Sequence, residues 1–135
     1  MQLKALLAIP VLFLWACKQP TPAEQLDSAL SWLATAGMAG DAWLRHTTPD
    51  RYTRETLELS RKTLEQIRGD LLKAPPSKVD AASLDGALTR SRRRIAQMAK
   101  LVEAKDSPAF ATQLDSLRSD EKIVKQLDDS ANAGQ

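Results

Sequence analysis

Residues 84–102, LDGALTRSRRRIAQMAKLV, repeat their apolar side chains at alternating steps of four and three. The positions on this spacing are Leu84, Leu88, Ser91, Ile95, Met98 and Val102. Steps of four and three place side chains along one face of an α-helix, which is typical of helices packed in a bundle. The stretch lacks the alternating, β-branched pattern of a strand. It therefore predicts an amphipathic helix.

Three other stretches have the same spacing, and none of them reads as a strand. The first extends from Leu26 to Leu44 and the second from Leu57 to Leu71. The last stripe is predicted to contain Phe110, Leu114, Leu117, Glu121, Val124, Leu127 and Ala131. Four amphipathic helices separated by short connections predict an all-α fold, an up-down-up-down antiparallel four-helix bundle. A looser three-helix arrangement with the last helix docked elsewhere is the alternative.

Hydroxyl-proline pairs divide these stretches. Thr21-Pro22, Thr48-Pro49 and Ser107-Pro108 each place a capping hydroxyl before a proline suited to the first helical position. Thr21 has Glu24 three residues later, as a capping box requires. Pro75-Pro76 ends a helix, and Ser77 with Asp80 offers the next capping box. The predicted helices are 22–45, 49–73, 78–104 and 108–130.

The N-terminal region has the organisation of a secretory signal peptide. A basic residue, Lys4, precedes an apolar run over residues 5–16 that is interrupted by Pro10. The run is well short of the roughly 20 residues that cross a bilayer. It closes on Leu14-Trp15-Ala16-Cys17, which resembles the lipobox of bacterial lipoproteins.

The resemblance implies that residues 1–16 are a lipoprotein signal peptide, that Cys17 receives a diacylglycerol on its sulfur, and that the new Cys17 amine is acylated after cleavage. Several acyl chains give stable membrane anchoring, whereas one chain alone is marginal. An ordinary secretory signal followed by a free cysteine is the alternative. Because Lys18 is not aspartate, the resemblance implies an outer-membrane address on the periplasmic side.

The rest of the chain is predicted to form a single domain on a short tether. Residues 17–22 are the lipidated cysteine and a proline-containing tether, residues 23–131 the helical bundle, and residues 132–135 a frayed tail. Of the 19 basic residues, the 18 that remain without Lys4 face 17 acidic ones. This near balance argues against a nucleic-acid partner. A single cysteine excludes a disulfide within the chain.

Motifs that would indicate an enzyme, a metal site or another cofactor site are absent from the sequence. There is no Gly-x-Ser-x-Gly, no P-loop and no His-Glu-x-x-His. His46 is the only histidine, and it follows the first helix, where a partly cationic imidazole suits the helix dipole. The sequence therefore predicts a protein without enzymatic activity and without a cofactor.

An arginine cluster and a single tryptophan are candidate partner-binding sites. Arg90, Arg93 and Arg94 share one flank of their helix at about 100° per residue, whereas Arg92 points away. This flank either contacts anionic headgroups or an acidic partner, or is a solvated face paired with neighbouring carboxylates. Trp32 is either a partly exposed anchor that contacts a partner or the membrane interface, or a residue packed at the boundary of the core. Trp43 is predicted to lie in the core.

A polar layer is predicted near the midpoint of the bundle. The residues expected at that level are Gly37, Ser60, Ser91 and Glu121. Glu121 is expected to pair with Arg94 or Arg61 and to fix the helix register, since buried polar groups specify more reliably than they stabilise. The alternative is a slight rotation of the last helix that leaves Glu121 in solvent.

The function predicted from the sequence is a non-enzymatic interaction or adaptor module of the cell envelope, with an envelope protein as partner. One alternative is a small-ligand-binding or stress-sensing bundle. That alternative needs an apolar pocket near Gly37, Gly40 and Met98. Another is a passive envelope protein with no dedicated partner.

Overall fold

Four α-helices account for most of residues 19–133, which are the residues that the computed structural model describes. Their bounds are Pro22–Leu44 (α1), Asp50–Lys73 (α2), Ala81–Glu103 (α3) and Ser107–Asn132 (α4). Each helix packs against two others, because α1 and α3 both contact α2 and α4. The all-α class is therefore confirmed, and α4 packs within the bundle rather than apart from it.

The signal peptide predicted over residues 1–16, the lipidation predicted at Cys17 and the sorting residue Lys18 lie outside the described residues. The last two residues of the predicted tail lie outside them as well. Within residues 19–133, none of the helices combines the length and hydropathy that crossing a membrane requires.

The start of α1 is the one that the sequence predicts correctly in every detail. The Thr21 hydroxyl accepts a hydrogen bond from the Glu24 backbone N–H at 3.2 Å. The Glu24 carboxylate accepts one in return from the Thr21 N–H at 3.3 Å. These reciprocal bonds form a capping box, which satisfies donors that the first helical turn leaves unpaired.

The other three predicted caps are wrong. Pro49 occupies the N-cap of α2 with no side-chain capping bond, and the Thr48 hydroxyl instead lies 3.1 Å from the Thr53 hydroxyl. At α3 the cap is Asp80, which accepts from the Ala82 N–H at 3.3 Å. The helix starts later than predicted because Lys78 has a φ of 66°, which a right-handed helix does not allow.

At α4 the cap moves one residue towards the N-terminus. The Asp106 carboxylate accepts from the Ala109 N–H at 3.1 Å, and Ser107 is the first helical residue. A carboxylate is favoured at this position because the helix N-terminus carries partial positive charge. The sequence pattern therefore locates the start of this helix to within a residue but assigns its cap to the wrong side chain.

The core is rich in leucine and alanine and holds two aromatic rings at the end opposite the chain entry. Trp43 is buried as predicted, and its ring centroid lies 4.6 Å from that of Phe110 at an angle of 56°. The Trp43 indole N–H donates to the Asp50 carboxylate at 2.8 Å, so the ring is packed without an orphaned donor.

Gly40 lies at a close helix approach in this part of the core. A Cβ atom at this position would lie 3.1 Å from Leu114, 3.2 Å from Phe110 and 3.3 Å from Met98. Such distances leave no room for a ligand beside Gly40. The pocket that a ligand-binding bundle would need at this place is therefore filled by the protein's own side chains.

The polar layer at the bundle midpoint exists, but Asp120 rather than Glu121 supplies its carboxylate. Ser60 and Ser91 are buried as predicted, and each hydroxyl donates to a carbonyl one turn earlier in its own helix. The predicted pairing of Glu121 with Arg94 or Arg61 is wrong, since the Glu121 carboxylate lies 3.5 Å from Arg118. After Leu117 the next buried residue of α4 is Asp120, three positions later, whereas the prediction placed it four positions later, at Glu121.

Candidate functional site

An open groove of about 260 Å³ lies between α3 and α4, and we call it the arginine groove. It is lined by Arg90, Arg93, Arg94, Gln97 and Gln113. The three arginines predicted to share a flank therefore do line one surface. The facing helix adds a glutamine amide.

A buried carboxylate bonds to one of these arginines and lies near a second. Asp120 is only 3 % exposed, and its Oδ2 accepts a hydrogen bond from the Nε of Arg94 at 2.6 Å. The Nε of Arg90 lies 3.9 Å from its other oxygen. Arg93 is exposed and has no acidic partner within 4 Å among residues 19–133. The groove thus combines three guanidinium groups with one carboxylate, which leaves two positive charges uncompensated.

The fourth arginine of the run faces a different helix. The Nε of Arg92 lies 2.9 Å from the carboxylate of Glu65 on α2. The predicted division of the run, with Arg92 pointing away from the other three, is confirmed. The alternative was a solvated face whose arginines pair with neighbouring carboxylates. Arg90, Arg92 and Arg94 each have such a carboxylate within 4 Å, and Arg93 does not.

Trp32 lies on another edge of the bundle. It is half-buried and packs against the core. Gln25, which lies seven residues earlier and hence on the same side of α1, donates to the Asp70 carboxylate of α2 at 3.2 Å. Trp32 therefore faces the α1–α2 edge, whereas the arginine groove lies between α3 and α4. The structure does not bring the two predicted binding features together.

Two exposed apolar side chains on α2 share this α1–α2 edge, and sequence reasoning did not single them out. Leu59 and Tyr52 precede Asp70 by 11 and 18 residues, which are whole numbers of helical turns. They are 53 % and 58 % exposed. In the sequence they stand out only as apolar residues outside the predicted core stripe of α2. Single apolar residues of this kind are common on protein surfaces and carry little information alone.

A larger groove of about 660 Å³ separates α1 from α4. Leu30 and Ala34 form part of its apolar lining. Its charged lining residues are Asp27, Glu121, Asp128, Arg118, Lys122 and Lys125. Three acids thus match three bases, so this groove has no preference for a ligand of either charge.

Asp128 is a buried acid in that groove, and the sequence analysis missed it. Burial is the main cause that raises its pKa to about 6, and the hydrogen bond and negative charge of Asp27 on α1 add to the shift. Asp129 raises the pKa further, whereas Lys125 lowers it. The Asn132 amide donates to Asp128 at 3.3 Å. The predicted stripe passes through Leu127, which is only half-buried, instead of Asp128.

His46 lies just beyond α1, as predicted, with an exposed side chain. Its φ of 58° reverses the chain, and its backbone N–H donates to the Trp43 carbonyl at 3.0 Å. Across residues 19–133, no cluster of three or more histidine, cysteine, aspartate or glutamate side chains is arranged to hold a metal ion.

The arginine groove is the described surface with the clearest chemical preference. Guanidinium groups bind carboxylates and phosphates through paired N–H donors, and glutamine amides add further donors. Comparisons with protein-family models, with curated proteins and with solved structures find no match to this chain.

Proposed function

We propose that this protein is a bacterial lipoprotein anchored through Cys17 to the periplasmic side of the outer membrane, where its helical bundle acts as a non-enzymatic adaptor for an envelope protein. The lipobox-like Leu14-Trp15-Ala16-Cys17 supports the anchor. The arginine groove carries the adaptor role, because a buried carboxylate positions cationic side chains on the outside of a filled bundle.

The path of the chain agrees with an anchor at one end of the bundle. The N-terminus of α1 lies at the same end as the C-termini of α2 and α4, since short connections make neighbouring helices antiparallel. Pro22 is the fifth residue after Cys17, and five residues reach at most about 18 Å. A lipid on Cys17 would hold this tether end close to the bilayer and leave the sides of the bundle free.

The packed interior favours a surface function over a ligand in the core. Met98 and Phe110 are fully buried beside Gly40, where a ligand-binding bundle would need space. A partly open hollow between α2 and α3 measures about 10 Å³, close to the volume needed for a single water molecule. The large hollows described above are instead open to solvent.

The anchor is tested by fractionation of cells that express the full chain. We expect wild type in the membrane pellet and Cys17→Ala almost entirely in the soluble fraction, because the variant lacks the acylated sulfur. Lys18→Ala is the control, and it should stay in the pellet. Soluble wild-type protein would support an ordinary signal peptide with a free cysteine, and membrane-bound Cys17→Ala would show that Cys17 is not the anchor.

A further inference from the structure

We propose that the arginine groove binds a partner segment that carries two or more carboxylates, an inference that rests on the proposed adaptor function and names the chemistry of its partner. Arg90, Arg93 and Arg94 supply the positive charge, and Gln97 and Gln113 stand on opposite helices. The proposal follows from the charge, the anchoring and the position of these side chains.

The charge of the groove favours an anionic occupant. Asp120 compensates one of the three guanidinium groups, and Arg93 has no carboxylate within 4 Å in the described part of the chain. Arg94 directs its Nε to Asp120, which leaves the terminal Nη groups to bind a second carboxylate. A single incoming carboxylate would still leave one positive charge, so two match the groove.

Asp120 also prepares the groove for binding. A long arginine side chain loses conformational freedom when it binds a ligand, which weakens the complex. Because Arg94 already bonds to a buried carboxylate and Arg90 lies near it, part of this loss occurs on folding. The groove therefore differs from a cluster of unrestrained surface arginines.

The dimensions of the groove suit a peptide. Arg90 and Gln97 are seven residues apart along α3, a distance of about 10 Å along the helix axis. This length accepts about three residues of an extended chain or two turns of a helix. We therefore expect the two carboxylates of the partner to be separated by about 7–10 Å.

The distance between the groove and the tether end of the bundle favours a protein partner over a lipid surface. Arg90 and Arg94 lie 9 and 13 residues beyond the first residue of α3, which is about 14–20 Å from the tether end. The headgroup region of a bilayer is only about 5–8 Å thick on each side. A bundle that stands on its tether end would keep these arginines above the headgroups.

The test uses the full protein extracted in neutral detergent and a fluorescein-labelled hexaglutamate peptide, with hexaglutamine as the neutral probe. We expect hexaglutamate to raise the fluorescence anisotropy and to shift the side-chain amide NMR signals of Gln97 and Gln113. Arg93→Glu should weaken binding about tenfold, because it reverses an exposed charge in the groove. Lys62→Glu is the matched control on the outer face of α2 and should leave binding nearly unchanged.

Three results would overturn the proposal. Equal weakening by Arg93→Glu and Lys62→Glu would indicate non-specific attraction, and an absence of peptide binding would exclude a carboxylate site. Binding to phosphatidylglycerol vesicles without binding to hexaglutamate would assign the groove to lipid. Measuring the Cys17→Ala chain as well separates this inference from the anchor, because peptide binding does not require the lipid.

Discussion

Phe110→Ala is expected to lower the free energy of unfolding by about 3–5 kcal/mol, which includes the transfer of the ring and the cavity that remains. The ring is fully buried, packs against Trp43 and lies next to Gly40. A domain of this size has a total stability of about 5–15 kcal/mol, so the variant is expected to be partly unfolded at moderate urea concentrations. Urea titration followed by circular dichroism measures the change.

Tyr52→Ala is the matched control for the loss of an aromatic ring. Tyr52 is 58 % exposed, so its removal should change stability by no more than about 0.5 kcal/mol. A cost below about 1 kcal/mol for Phe110→Ala would contradict the packing described at this end of the bundle.

Asp128→Asn is expected to remove a pH dependence from the stability of the bundle. The pKa of Asp128 is raised from 3.8 to about 6, so the folded state holds its proton more tightly than the unfolded chain does. The resulting stabilisation is fully present below pH 3.8 and is lost as the pH rises through 6. The whole change corresponds to about 3 kcal/mol.

Comparing Asp128→Asn with wild type at about pH 4.5 and about pH 7.5 isolates this effect. Asn is neutral at both values, so the variant should gain stability relative to wild type as the pH rises. Glu58 and Asp80 have lowered pKa values, through hydrogen bonds from Arg61 and Ser83, and they act in the opposite direction in both proteins. Asp129→Asn, at an exposed neighbour, should retain most of the wild-type pH dependence, because the charge of Asp129 is the smallest of the causes that raise the pKa of Asp128. A constant difference between Asp128→Asn and wild type would contradict the raised pKa of Asp128.

The helices and most of the core could be predicted because they depend on periodicity. Leu84, Ile95 and Val102 recur at the spacing that one face of α3 requires, and each of them is buried. The same geometry separated Arg92 from the other three arginines. Such predictions need only the angle between successive residues in a helix.

The caps failed because several adjacent side chains could act as acceptors. At α4 both Asp106 and Ser107 are suitable capping residues, and the choice depends on where the preceding loop reverses. Lys105 makes that reversal with a φ of 56°. A lysine in the left-handed conformation has no distinctive sequence signal. The sequence pattern therefore could not show which of the two neighbouring residues caps the helix.

The buried acids were missed because an apolar stripe gives no reason to place a carboxylate in it. Asp120 and Asp128 each lie one residue from the position that the predicted stripe of α4 assigned to the core. Their burial depends on Arg94 and Asp27 on other helices, which only the tertiary arrangement brings near. The arginines of the candidate site were therefore predictable, whereas the carboxylate that positions them was not.

Photocrosslinking in cells from position 97 tests the proposal of an anchored adaptor most directly. A photoreactive amino acid at Gln97 lies in the arginine groove and leaves its three arginines intact. We predict capture of one envelope protein through an acidic segment, with no capture of it from position 62. Capture should weaken in Cys17→Ala, because this variant keeps the groove but is no longer concentrated at the membrane. Equal capture from positions 97 and 62, or undiminished capture in Cys17→Ala, would contradict the account.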